Sequence, residues 1–98
     1  MSISAISFYR GGTVEEVTPV ARKMKAVLRK YDVSYQVSRF QTGQELGDWI
    51  VIVQYADQTA YAKALDSFAQ DPEHRQVVAE ISKLVTLVKR EMVVDLDL

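Results

Sequence analysis

"DWIVIVQYAD", residues 48–57, decides the fold. From Trp49 to Tyr55 every residue but Gln54 is apolar or aromatic, and Asp57 follows as a residue able to cap a helix. A strand with one face in water alternates apolar with polar side chains, whereas a strand covered on both faces does not. Here Trp49, Val51, Val53 and Tyr55 point one way and Ile50 and Ile52 the other, so both faces need cover.

Working upstream, Val33 to Thr42 does alternate, with Val33, Tyr35 and Val37 on one side and Ser34, Gln36 and Ser38 on the other, as in a half-buried strand. "TGQELGD" then turns the chain into the apolar strand. Ile3 to Arg10 is rich in strand-favouring residues and closes on Gly11-Gly12, a turn. In "TVEE" the Thr13 side chain can cap the N–H of Glu16 while Glu16 reaches back, which opens a helix. Val14, Val17, Ala21, Met24, Leu28 and Tyr31 form its apolar stripe, and the basic residues Arg22, Lys23, Lys25, Arg29 and Lys30 make a solvated face. Pro19 falls on the solvent side of that helix, where a kink, or a restart capped by Thr18, leaves the stripe intact.

Downstream, Asp57 caps a helix with Tyr61, Leu65 and Phe68 on one face; Asp71-Pro72 ends it and supplies the cap and first position of another, carrying Val77, Val78, Ile81 and Leu84. From about Thr86 the period becomes two, through Val88, Met92, Val94 and Leu96, a last strand. The order βαββαβ, with the second helix broken, predicts an α+β ferredoxin-like sandwich over residues 1–98: one domain, an antiparallel four-stranded sheet, and all helices on one face. Nothing in the chain is left to cover the other face. A twofold-related copy would, making a homodimer through the sheet faces across which "EMVVDLDL" could extend.

Composition excludes whole classes. In 98 residues there is room for one modest core, about two-thirds of the unfolded surface being hidden. A net charge of -1 gives no pull toward nucleic acid or anionic lipid. With no cysteine there is no disulfide, thiolate site or cysteine nucleophile. The N-terminal stretch lacks a signal peptide's basic start and apolar core, and no apolar run reaches membrane-spanning length, so the expected location is cytoplasmic.

The strand–helix order, the "GDWIVIVQYAD" strand leading into a helix that contains Tyr61, and "FAQDPEHRQVV" as a helix break and restart together resemble the dimeric α/β-barrel superfamily, which includes antibiotic-biosynthesis monooxygenases and NIPSNAP-like proteins. The resemblance spans nearly the whole chain. It implies two ferredoxin-like protomers joined sheet to sheet, and a range of activities from cofactor-free oxygenases and haem-degrading enzymes to isomerases and decarboxylases. Haem-degrading and some quinone-forming members rely on an asparagine with tryptophan, and the former on histidine as well. This chain has Trp49 and His74 but no asparagine, so no catalytic residue carries over from them.

His74, the only histidine, precedes Val77 and Val78 by three and four residues and so continues the buried stripe onto the first helical turn, beside the cleft between helices and sheet. It is the candidate catalytic base, kept neutral by the helix N-terminus and partial burial; the alternative is a first-turn residue hydrogen-bonded to backbone. Tyr35, Trp49, Tyr55 and His74 are the candidate ligand-binding set, an apolar pocket with a few polar handles. Arg10 and Arg39 could meet a ligand carboxylate, or pair with Glu45, Asp48 or the acidic tail. Carboxylates lack metal-ligand spacing, Gly11-Gly12 lacks the lysine of a phosphate loop, and "DWIVIVQY" lacks the basic residues of an RNA-binding sheet. No metal, cofactor, nucleic acid or membrane is expected. The expected role is a small homodimeric protein binding an apolar or aromatic metabolite between helices and sheet; the rivals are a cofactor-free monooxygenase or isomerase, and a non-catalytic assembly module with a filled core.

Overall fold

Why the apolar strand can be buried on one side is visible in its register. In a computed structural model describing residues 1–98, β3 (Trp49–Tyr55) is flanked by β1 (Ile3–Arg10) and β2 (Ser34–Arg39), and β4 (Thr86–Val94) joins the far side of β1. The order is β2-β3-β1-β4, every pair antiparallel. Ala5 lies opposite Val53, which lies opposite Tyr35, while Ile6, Ile52 and Gln36 form the next row on the other face. Helices α1 (Val14–Arg29), α2 (Gln58–Ala69) and α3 (Pro72–Leu84) supply the second layer. The chain is the expected α+β ferredoxin-like sandwich.

Local signals hold each helix in place. The Thr13 hydroxyl accepts the N–H of Glu16 at 3.2 Å and the Glu16 carboxylate accepts the N–H of Thr13 at 3.0 Å, opening α1. Asp57 caps α2 through the N–H of Ala60 at 2.7 Å, and Asp71 caps α3 through those of Glu73 and His74. Met24, Val27, Leu28 and Val77 form one buried cluster and Ala5, Tyr55 and Ala64 another, bridged by Val33, Val53 and Phe68. No helix is long and apolar enough to cross a membrane.

Three local expectations are corrected. Pro19 neither ends nor restarts α1, which runs unbroken; the Thr18 hydroxyl does not cap a second helix but donates back to the carbonyl of Val14 at 2.6 Å. Because Pro19 is exposed, the carbonyl it leaves without an N–H partner lies on the water side. β2 begins at Ser34 and ends at Arg39, short of Thr42, because Phe40 leaves the ladder to close the hairpin with Asp48 and Gly47. Finally, β4 ends at Val94, so Leu96 of the period-two pattern falls beyond the ladder, and the strand is exposed along its length.

Candidate functional site

The helices do not fill the space they enclose with the sheet. A cavity of about 690 Å³ remains, and 22 of the 27 residues lining it are hydrophobic. The four residues expected to bind a ligand, Tyr35, Trp49, Tyr55 and His74, all line it, from β2, β3 and the first turn of α3.

Trp49 and His74 are held by identifiable contacts. Trp49 is buried, its indole N–H donating to the carbonyl of Gly11 at 2.8 Å, and the Arg39 guanidinium lies 5.1 Å over its ring. The turn that carries this carbonyl needs glycine at the next position: the φ of Gly12 is +74°, and a Cβ there would fall 2.9 Å from a methyl of Val17. His74 stacks on Phe68 with centroids 4.5 Å apart and planes within 3°. Phe68 in turn meets Tyr31 edge-on at 5.4 Å, and the Tyr31 hydroxyl donates to Asp71, the residue that caps the helix carrying His74. The imidazole is therefore oriented by a closed ring of contacts, while the backbone N–H of His74, not its ring, donates to the capping carboxylate of Asp71.

Electrostatics divides these groups into a base and two acids. Burial lowers the His74 pKa, with the nearby Asp71 charge acting in the opposite sense, so the imidazole is neutral at pH 7 and able to accept a proton. Burial pushes Tyr35 up to about 12, helped by Tyr9, and raises Tyr55 also, against the opposing pull of Arg90. Both hydroxyls remain protonated and can donate. Asp71 lies well below the usual carboxylate range, chiefly through the Tyr31 hydroxyl and then the Lys30 ammonium at 3.0 Å.

The two strand arginines singled out in the sequence are engaged elsewhere. Arg10 forms a two-point pair with Asp48 at 3.1 and 3.0 Å, and Arg39 bonds the carbonyl of Gly47 besides covering Trp49. The cation on the cavity wall is instead Arg90, which was not foreseen. The available signal was parity: Arg90 shares its side of β4 with Met92 and Val94, a charge on an otherwise apolar face. No three of His, Cys, Asp or Glu gather as a metal site.

A four-stranded antiparallel sheet with helices on one face, enclosing an apolar cavity, is a ferredoxin-like α+β sandwich. Solved structures bear out this fold. The cofactor-independent oxygenase SnoaB of Streptomyces nogalater matches with a TM-score of 0.73 at 12% identity, over 99% of this chain and 95% of that one. A NIPSNAP family protein of Agrobacterium tumefaciens matches at 0.72 and 15% identity, over 99% and 95%. A dimeric protein of unknown function and ferredoxin-like fold from Bacteroides fragilis matches at 0.58 and 16% identity, over 94% and 92%. No protein-family profile matches the sequence, and no curated protein does.

Proposed function

We propose that the chain is a homodimeric α/β-barrel protein that holds a small apolar or aromatic metabolite between its helices and its sheet. The observation that carries this is the open cavity: an assembly module with a filled core would have closed it, whereas 690 Å³ lies within the range of ligand sites. A neutral aromatic probe tests it. Trp49, the only tryptophan, lines the cavity, so its fluorescence reports occupancy directly. Titration with 2-naphthamide should change Trp49 emission saturably, and a Val51→Trp variant, which places a second indole in the cavity, should lose the probe's binding by calorimetry while keeping its circular dichroism. No binding to the parent chain would overturn the reading.

One set of observations favours the second reading, a cofactor-free monooxygenase or isomerase. A neutral imidazole and two protonated tyrosines line the same cavity, which is what proton abstraction from an activated C–H or O–H and its return elsewhere require. In this reading His74 is the catalytic base, and Tyr35 and Tyr55 donate to the oxygen that gains charge. The similarity to SnoaB supports the class of chemistry; the absence of asparagine separates this site from members that depend on one.

A further inference from the structure

Arg90 is the one charged residue besides the titratable His74 on the wall of the cavity, and no acidic residue lines it. Its Nε donates to the Ser7 hydroxyl at 2.8 Å and one terminal nitrogen to the Tyr9 hydroxyl at 3.2 Å. Ser7 stands directly opposite Arg90 in the β1–β4 ladder, and Tyr9 is two residues further along the same face. Both hydroxyl oxygens accept there, so their own protons remain to be donated. A guanidinium has five N–H donors, of which these bonds use two. The corner therefore carries one positive charge and a surplus of donors, with no acceptor to receive them. Its neighbours on β4 do not help: Lys89 and Glu91 pair with each other at 3.7 Å and lie on the opposite face, and no carboxylate comes within ion-pair distance of Arg90.

We propose that Arg90, Ser7 and Tyr9 form an anion-binding corner of the cavity, and that the ligand is an aromatic or similarly flat apolar molecule carrying a single carboxylate. The inference rests on the cavity being a ligand site. A carboxylate supplies only acceptors and matches the planar guanidinium fork, while the apolar walls take the hydrocarbon body. Two hydroxyls fix the guanidinium before the ligand arrives, so little side-chain freedom is lost on binding.

A matched pair of probes tests it by calorimetry. 2-Naphthoate and 2-naphthamide share a ring system and differ in charge; the acid should bind the parent chain at least about tenfold more tightly. Arg90→Met should abolish that preference by weakening the acid far more than the amide, and Arg90→Lys should restore part of it. Equal affinity of the parent chain for acid and amide would overturn the anionic corner and leave the cavity reading standing. Binding of neither would overturn both. Retention of the full preference by Arg90→Met would place the anion elsewhere and overturn the assignment. The comparison on the parent chain decides the matter even if a variant fails to fold.

Discussion

At His74 the chemistry and the stability separate. Its ring contributes one stacking contact with Phe68 and no hydrogen bond, so His74→Ala should cost about 1 kcal/mol and shift the melting temperature by a few degrees only. If His74 is the base, the same variant abolishes any turnover; a large loss of stability with turnover intact would make it structural. Asp71 behaves in the reverse way. Its folded pKa is depressed, so its contribution is complete above the unfolded value of 3.8 and disappears as pH falls below it. Tyr31 and Lys30 are raised, chiefly by hydrogen bonding to Asp71, so their contribution is complete below about pH 10 and disappears as pH rises through their folded values. Thermal melts should therefore weaken at both extremes, and Asp71→Ala should lower the melting temperature at pH 7 while flattening both limbs. Gly12→Ala tests the turn beneath Trp49: a side chain at φ +74° and against Val17 should cost about 1–3 kcal/mol.

Among the elements, β3 makes the sharpest distinction between neighbours in sequence. Val53 faces the helices and bridges the two buried clusters, whereas Ile52 lies on the opposite face with Ile6. Val53→Asp buries a charge without a partner and should abolish the cooperative melt. Ile52→Asp should leave circular dichroism intact and release monomer, as read by light scattering. The second helical segment shows how sequence and packing cooperate: Asp71 both ends α2 and starts α3, and the break lets His74 swing onto Phe68 of the preceding helix. A continuous helix would carry residue 74 past that ring.

In the whole molecule the lone chain is thinly buried. Only 13 of its 98 residues are buried, and Leu87, Val88, Met92 and Val94 of β4 are 44–52% exposed although apolar. Leu87, Met92 and Val94 stand on the helix side of the sheet, opposite Tyr9, Ala5 and Ile3, whereas Ile6, Ile50, Ile52 and Val93 on the other face meet no second layer of their own chain, and full burial of each is worth about 1.5–3 kcal/mol. A copy of the chain is the cover proposed. Light scattering at micromolar concentration should give twice 11.1 kDa; a mass of one chain would refute the dimer.

The sequence by itself determined the order and nature of the elements, because capping, turn and parity signals act over a few residues: Thr13 with Glu16, Asp57, Asp71-Pro72, and the double-sided apolar run of β3 all describe their own surroundings. It also placed Tyr35, Trp49, Tyr55 and His74 toward one space, since parity on a strand and spacing on a helix fix direction. Whether that space was open was decided only by the tertiary structure, because a void is a difference between the volume enclosed by distant elements and the volume of the side chains that enter it. The same holds for Arg90. Its meaning depends on Ser7 and Tyr9, more than 80 residues earlier. Periodicity within one strand carries no trace of that partner.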